Sequence, residues 1–596
     1  MVAFWLGLKP AFAQFDRTSV MTESPLRSAG VLLPAFSPRR EGDLGIGDTR
    51  AMREWIDWAA DHRVGFLQLL PIQETGADDS PYNAISSVAL EPAYLSFEPD
   101  DLPGMAAEDV EQARQQLGAA AEGAWVDYRS VRTVKRALLE LAWSRFSEAP
   151  AELHSEFARF RESEAAWLED YSRFRWLMDR NGGAETWDLW PEDTNDPVRA
   201  LATLEEARSS EPETVENRLA FYQWVQWLCF RQWRAVRAHA DARGVKLMGD
   251  IPIGVSWYSA DVFFGQDDFD LEWCGGAPPE RVFKHDRFIR KWGQNWGIPL
   301  YRWEKMEAEG FAWWRQRVSK LVEIFHIFRI DHVLGFYRIY AFPWRPQLNG
   351  EFLELNEKEA AAKTGGRLPG WAWRPDDTKE NKAANLAEGD ARLRMIVEAA
   401  WGGEVVGEDL GYVPDYVRPH LASLGIAGFR LPHWDFDENG VVIPPDELPE
   451  CSFATYATHD HDTIVAMWDS LRHDAHDPSV DADDAEKACA YLRRLCNFAG
   501  IPVEEEKWPP SNPTLRWQLI AALFAARSRY AAVMITDVFG MTERFNRPGT
   551  IGGENWRLRL PWSVDEIRRT PVLEAQCEQL AREIETSGRS ADLKSA

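Results

Sequence analysis

Carboxylate side chains lie in or just after four separate apolar runs of the sequence. Asp250 lies in KLMGDIPIGV, Asp331 in FHIFRIDHV, Glu408 in EVVGEDL and Asp460 in TYATHDH. In a parallel α/β barrel the carboxyl ends of the strands meet at one rim, and that rim carries the active site. One such acid alone is more often a helix cap or half of a surface ion pair. Four acids at the ends of separate strands predict a shared chemical site.

The run that contains Asp331 is the most informative of the four. Arg329 and Asp331 are two residues apart, so their side chains point to the same face of a strand. A guanidinium there favours the ionised carboxylate that attacks a sugar carbon. Glu408 follows an apolar strand, and partial burial raises the pKa of such a carboxyl, so that it can serve as a general acid. Glycosidic cleavage needs this pair, and Asp460 is a candidate for charge-assisted hydrogen bonds to sugar hydroxyls.

The elements that must position these acids alternate short apolar β runs with longer helical stretches. Apolar spacing and capping residues predict helices at 49–63, at 216–243 before Gly244, and after Asn512, with Pro513 as the first helical residue. The predicted fold is a (β/α)8 TIM barrel with large insertions between the barrel strands and no separate C-terminal β domain. Its eight strands are predicted at 29–37, 65–72, 246–255, 325–333, 404–410, 427–431, 455–461 and 531–539.

The strands are unevenly spaced, which predicts insertions in a barrel that extends over 21–596. Residues 99–215 are acidic and helical in pattern and are expected to form an inserted subdomain, while residues 344–390 are expected to cross the barrel mouth. Residues 1–20 are expected to be a disordered or non-native extension, because a second methionine, Met21, starts directly before the first strand. The alternative is a weak export signal, since the apolar run ends in AFA but lacks a basic segment.

Composition limits the classes of partner. The chain has 67 Lys plus Arg and 95 Asp plus Glu, and a net charge of −28 argues against nucleic acid and anionic membranes. No apolar run approaches the ~20 residues of a membrane span. The six cysteines lack zinc-ligand spacing and the carboxylates suffice for the chemistry, so no metal or other cofactor is expected. Scattered thiols are typical of reduced proteins, which predicts a cytoplasmic location.

Motifs from about Gly30 to Trp556, nearly the whole chain, resemble the amylomaltases, the disproportionating 4-alpha-glucanotransferases of the alpha-amylase clan. The segments FRIDHVLGFYR, GEDLG and ATHDHDT belong to the set, but their RIDH, GEDLG and THD motifs alone would suggest only the clan. SPYNAISSVALEP at 80–92 and QNWGIPLYRW at 294–303 narrow the resemblance to amylomaltases. GDLGIGD at 42–48, GDIPIGVSWYSADVF, FNRPGT and ENW are also similar to family segments.

The resemblance implies a role for each matched residue. Asp331 would be the nucleophile, Glu408 the acid/base, and Asp460 would bind and distort the sugar at the cleavage subsite. The two catalytic carboxyls would then lie ~5–5.5 Å apart, as in retaining enzymes. For the two histidines of the set, the alternative is a neutral structural role. The residues expected to contact glucan are Arg329, His332, His459, Ser80, Tyr82, Asp250, Asn295, Trp296 and Asn546.

The implied activity is the transfer of α-1,4-glucan segments from malto-oligosaccharides to the 4-hydroxyl of glucose or of another glucan derived from starch or glycogen. Two alternatives stay open: an α-glucan hydrolase with the same three carboxylates, and a non-catalytic glucan-binding barrel. His461 stands where many members have Asn, and the insertion at 344–390 is long. Acceptor preference, the length of glucan transferred and the oligomeric state therefore stay open as well.

Overall fold

The protein is built on twelve β-strands within the described residues. The structure is a computed structural model that describes residues 27–280, 286–502, 507–550 and 552–589, so the predicted extension at 1–20 lies outside the described residues. The strands are β1 (Ser28–Leu32), β2 (Phe66–Gln68), β3 (Lys246–Ile251), β4 (Phe269–Ala277), β5 (Gln294–Tyr301), β6 (Ile327–Ile330), β7 (Ile339–Phe342), β8 (Gly370–Ala372), β9 (Glu404–Gly407), β10 (Ala427–Arg430), β11 (Ser452–Ala454) and β12 (Tyr530–Met534).

Eight of these strands close into a parallel barrel. Their order is β1-β2-β3-β6-β9-β10-β11-β12, and β12 pairs with β1 through Ser28 opposite Tyr530. The predicted TIM barrel is therefore confirmed. After β12, the described residues form helices and loops, as predicted.

The other four strands form a small antiparallel sheet that the sequence patterns did not reveal. Its order is β5-β4-β7-β8, and it joins segments on either side of β6. β4 and β5 pair with register shifts, and β5 contains Gly297 and Pro299. These irregularities hide the strict two-residue alternation by which a sequence indicates a strand.

Helices surround the barrel and occupy the long connection between β2 and β3. That connection contains seven helices, and the last of them, 32 residues long, ends at Gly244 in the left-handed conformation (φ +69°), as predicted. The predicted Asn512 cap is also present, since its side chain accepts a hydrogen bond from the N–H of Leu515. The helices are α1 (Thr49–Asp61), α2 (Ala107–Leu117), α3 (Ala119–Glu122), α4 (Tyr128–Arg145), α5 (Ala151–Ser163), α6 (Ala165–Arg180), α7 (Pro197–Ser210), α8 (Pro212–Arg243), α9 (Ala260–Phe264), α10 (Arg287–Trp292), α11 (Trp303–Ala308), α12 (Ala312–Val322), α13 (Asn349–Phe352), α14 (Glu357–Lys363), α15 (Lys379–Ala399), α16 (Val417–Ser423), α17 (Ile464–His476), α18 (Ala482–Phe498), α19 (Pro513–Ala525), α20 (Ile535–Phe539), α21 (Val564–Arg569) and α22 (Pro571–Thr586).

An apolar floor fills the lower barrel and shares its strand face with the acids. Met248, Ile327 and Val406 belong to one buried cluster, and the residues two positions later are Asp250 and Arg329 on their strands and Glu408 directly after β9. Because side chains alternate along a strand, each polar group stands directly above a floor residue on the same inner face. The barrel thus builds a dry base beneath a charged upper layer.

The packing of the floor also requires glycine at position 30 of β1. A Cβ on Gly30 would lie 2.2 Å from the ring of Phe66, which crosses the barrel interior. That ring packs edge-on against Phe453 and Tyr530, with ring centroids 6.0 and 5.8 Å away. Any larger residue at position 30 would displace the aromatic floor.

Two predicted strands were wrong in extent. The run at 455–461 is a loop, because β11 ends at Ala454, and this loop carries Asp460. The run at 531–539 combines β12 with α20, which begins at Ile535. Asp537, in the first turn of α20, accepts a hydrogen bond from the N–H of Met534 and so caps the helix. The other predicted runs overlap shorter strands at the expected places, and β1 begins one residue earlier than predicted. Apolar side chains continue into the following loops because those loops are also buried, so hydropathy alone does not show where pairing stops.

Two observations concern the environment of the protein. Among the described residues, we find no helix that combines the length and the apolar character needed to cross a membrane. All six cysteines are free thiols.

Candidate active site

Arg329 lies at the centre of a group of carboxylates at the barrel rim. Its Nη1 is 2.7 Å from Asp250 Oδ2, and its Nη2 is 2.8 Å from Asp331 Oδ1 and 3.8 Å from Glu408 Oε2. The arginine side chain is only 4% exposed. One buried cation therefore faces three acids, an arrangement in which not every acid can ionise at low cost.

Glu408 is the acid that this environment keeps protonated most readily. Burial raises the pKa of Glu408 to about 7. The positive charge of Arg329 opposes this rise, whereas the negative charge of Asp331 adds to it. Its two oxygens also accept hydrogen bonds from the N–H groups of His332 and Leu410, at 2.8 and 2.9 Å. These bonds hold the carboxyl group in place and limit the rise of its pKa.

Asp331 and Glu408 are close enough to act on one sugar. Since both contact the same Arg329 nitrogen, Asp331 Oδ1 and Glu408 Oε2 are separated by no more than the sum of the two contacts, roughly 6.6 Å, against ~5–5.5 Å for retaining and ~6.5–9.5 Å for inverting glycosidases. These two oxygens are therefore close enough for the retaining separation. Asp331 is 27% exposed and Glu408 only 10%, so the first opens to the cleft while the second is nearly enclosed.

Asp460 approaches the rim from the loop after β11. Its Oδ1 accepts a hydrogen bond of 2.6 Å from Asn546 Nδ2 and lies 3.4 Å from His459 Nε2. Desolvation by the surrounding protein acts to raise the pKa of Asp460, but His459 and the Asn546 hydrogen bond outweigh it, and the net pKa is lowered. Asp460 is thus held ionised, in contrast to Glu408.

Tyr82 links the loop after β2 to this carboxylate group. Its hydroxyl donates to Asp250 Oδ2 at 2.8 Å, and its ring stacks on His459 with centroids 5.2 Å apart. Burial raises the pKa of Asp250 to about 7 despite Arg329, and Asp250 Oδ1 has no hydrogen-bond partner among the described residues. Trp556 completes the wall, with its ring 5.7 Å from Tyr82 and 5.6 Å from His459.

Burial disfavours the charged form of both histidines of the predicted set. Burial lowers the pKa of His332 to about 4, and it also lowers the pKa of His459. His332 is a non-glycine residue in the left-handed region (φ +46°), and its ring lies 4.9 Å from Trp296, edge to face. Trp296 is 37% exposed and forms an open side of the cleft.

Two predicted residues do not join the carboxylate group. Asn295 donates from Nδ2 to Trp344 O at 2.9 Å and to Asn349 Oδ1 at 3.2 Å, so it holds the loop beside β5. Ser80 Oγ accepts from the N–H of Tyr82 at 3.4 Å, so it shapes the turn that presents this tyrosine.

Comparison with known proteins identifies the group to which this site belongs. A family model described as 4-alpha-glucanotransferase matches residues 33–565. The chain belongs to this 4-alpha-glucanotransferase family. It is accordingly an enzyme that transfers glucosyl groups.

Members of this family match the chain over most of their length. The 4-alpha-glucanotransferase of Chlamydia caviae is 30% identical over 553 residues, which cover 90% of this chain and 91% of the relative. That of Thermus thermophilus is 30% identical over 548 residues, 90% of this chain and 95% of the relative. An amylomaltase from Streptococcus agalactiae, solved in complex with acarbose, shares the fold with a TM-score of 0.72 and 21% identity, covering 95% of this chain and all of the other.

Three residues of the rim were missed as individual candidates. Arg544 bonds the backbone oxygen of Asp460 and the side chain of Asp462, the latter at 3.0 Å. The second is Trp556, described above. These two lie next to or within the FNRPGT and ENW motifs, which could have identified them. Trp434, whose ring lies 5.1 Å from that of His461, follows no matched motif, and only the folded chain reveals it.

Proposed function

We propose that the protein moves α-1,4-glucan segments by a retaining double displacement, with Asp331 as nucleophile and Glu408 as acid/base. The observation that carries this proposal is the shared contact of both acids with Arg329. It keeps them within reach of one anomeric carbon, while burial leaves Glu408 with a pKa of about 7. An ionised nucleophile and a protonated acid are the pair that retaining cleavage requires.

In the first step, an Asp331 carboxylate oxygen bonds to the anomeric carbon as the glycosidic C–O bond breaks. Glu408 gives its proton to the departing oxygen, and a β-linked glycosyl ester remains on the enzyme. In the second step, the 4-hydroxyl of an acceptor sugar gives its proton to Glu408 and bonds to the same carbon. The ester bond breaks, Asp331 becomes a carboxylate again, and the α configuration is restored.

We assign sugar binding to the remaining members of the set. Asp460 is ionised and can accept strong hydrogen bonds from sugar hydroxyls. Asp250 Oδ1, buried and without a described partner, offers a second contact. Tyr82 and Trp296 supply aromatic surface at the cleft, where the apolar face of a sugar ring can stack.

The transfer proposal is tested by incubating the protein with maltotriose alone. A transferase yields glucose together with oligosaccharides longer than maltotriose. A hydrolase with the same carboxylates yields only shorter sugars, and a non-catalytic barrel yields none. A product series without longer oligosaccharides would refute the transfer proposal.

We propose malto-oligosaccharides and glucose, with glucan from starch or glycogen, as the substrates. The family membership supports this class of sugar. We also propose a cytoplasmic location, which the six free thiols support, because cysteines in oxidising compartments are usually paired.

We propose that the segments 99–215 and 344–390 are insertions that shape the mouth of the barrel. Arg345 binds Asp188 and the hydroxyl of Tyr258, which ties the two segments together beside the small sheet. Contacts of this kind let the insertions select the acceptor without touching the reacting carboxyls.

A further inference from the structure

Exposed apolar side chains are concentrated in a short hairpin beyond β10. Trp434 is 41%, Phe436 45% and Val441 57% exposed, whereas Asp435 between the first two is buried. Both rings are exposed to solvent, with Trp434 in a turn and Phe436 where the hairpin pairs with Val442. Single exposed hydrophobic residues are common on proteins, but two exposed aromatic rings two residues apart make this hairpin a candidate for binding.

The hairpin is continuous with the active site. The ring of Trp434 lies 5.1 Å from the ring of His461, which directly follows Asp460. Phe436 lies only two residues beyond Trp434 along the chain and is also exposed. This closeness in the chain suggests Phe436 as the further contact for an extended ligand that passes Asp460 and Trp434.

The hairpin is rigidly built. Phe436 pairs with Val442, and Asp437 Oδ1 accepts hydrogen bonds from the N–H groups of Asn439 and Val441 at 2.8 and 2.9 Å. These contacts close the turn, so the exposed ring sits at a defined position. A fixed ring loses little conformational freedom when it binds a ligand.

Arg494 of α18 holds the hairpin against the rest of the protein. Its guanidinium carbon lies 3.6 Å from the Phe436 ring centroid, and Nη1 donates to His433 O at 3.2 Å. The arginine covers one face of the ring, and Phe436 is still 45% exposed. This arrangement presents a flat apolar surface, flanked by polar groups of Asp437 and Asn439, which suits the mixed surface of a sugar chain.

We propose that the exposed face of Phe436 is an outer subsite for a long α-glucan chain. The chain would leave the cleavage site past Trp434 and stack a glucose ring on Phe436. This inference rests on the proposed function and extends it. It predicts that the enzyme distinguishes long linear glucans from short ones through a surface outside the carboxylate group.

The test compares two donors, maltotriose and long linear amylose with glucose as acceptor, in wild type, Phe436→Ala and Trp401→Ala. Trp401 is 92% exposed and precedes β9 at the opposite end of the barrel, so it is a matched control for the loss of an exposed ring. We expect Phe436→Ala to lower the ratio of kcat/KM for amylose to that for maltotriose about tenfold, the effect of one lost stacking contact. Trp401→Ala should leave both rates as in wild type, and Phe436→Tyr should restore the ratio.

An unchanged ratio in Phe436→Ala would overturn the outer subsite, and so would an equal loss with both donors. If the wild type fails to disproportionate maltotriose, the proposed function fails instead, and the two failures are thereby distinguished.

Sedimentation of wild type and Phe436→Ala tests the other occupant, a second copy of the chain. A wild-type dimer that the substitution dissociates without changing the ratio would assign the hairpin to self-association and refute the subsite.

Discussion

The backbone N–H of His332 donates a hydrogen bond of 2.8 Å to Glu408 Oε2, which couples the turn after the nucleophile to the acid/base. The left-handed conformation of His332 (φ +46°) directs its N–H toward Glu408, and its ring lies against Trp296. The hydrogen bond favours the charged carboxylate and burial favours the neutral acid. The resulting pKa of about 7 suits a group that must give up a proton in one step and take one in the next.

The first prediction concerns the pH dependence of glycosyl transfer. Glu408 must be protonated to act on the leaving oxygen, so kcat/KM for maltotriose should fall about tenfold per pH unit above about 7. Asp250 titrates in the same range. A substrate whose leaving group needs no general acid distinguishes the titration of Glu408 from that of Asp250. With α-maltosyl fluoride, the alkaline fall should disappear. A fall that persists with the fluoride would show that Glu408 protonation is not its cause.

The second prediction concerns stability. The pKa of folded Glu408 is about 7, above its ordinary value of 4.5, so its contribution to the free energy of unfolding is present at low pH and is lost as pH rises from about 4.5 through 7. A glutamine does not titrate, so the Glu408→Gln variant does not lose this part of its stability as the pH rises. The stability of the variant minus that of wild type should therefore increase by roughly 2–3 kcal/mol between pH 5 and pH 8. Urea denaturation at both pH values measures it, and a constant difference would contradict the raised pKa.

The sequence was most informative for the inward-facing residues of the barrel strands, because these recur at every second position above the apolar floor. Arg329 and Glu408 stand two positions after buried floor residues, and the same alternation that buries Ile327 and Val406 aims them at the mouth. A parallel barrel then brings the strand ends together, so the proximity of the acids follows from the pattern.

Sequence patterns were less informative where position depends on distant pairing. The small sheet joins Cys274 to Phe342, and no local periodicity predicts such a partner. Asn295 lies in a matched motif, yet its amide holds a loop, because a motif records which residues occur and not which neighbours they meet. Trp434 contacts His461 only after two barrel connections converge.

The third prediction concerns the nucleophile. Asp331→Asn removes the charge that attacks the anomeric carbon but keeps the shape of the side chain, so transfer from maltotriose should fall about 10⁴-fold or more. Binding of malto-oligosaccharide, measured by calorimetry, should persist. Asp193→Asn, at an exposed aspartate between α6 and α7, is the matched control and should keep wild-type activity. Transfer that survives in Asp331→Asn would disprove the assignment.

The fourth prediction concerns the charge state of Asp460. Asn546 Nδ2 donates to Asp460 Oδ1 at 2.6 Å, and Asn546→Asp would replace this donor with a second carboxylate. Two carboxylates at this distance cannot both ionise readily, so the pKa of Asp460 should rise and the acid limb of the pH–rate profile should move to higher pH. We expect activity at neutral pH to fall about 10–100-fold.

Asn546→Ala is the control that separates charge from the lost hydrogen bond. It removes the donor without adding a carboxylate, so its acid limb should move less than that of Asn546→Asp. Rate profiles measured with maltotriose over the acid range make the comparison. If the two variants shift the limb equally, the lost hydrogen bond rather than charge repulsion controls Asp460, and if neither shifts it, the protonation of Asp460 does not limit the reaction.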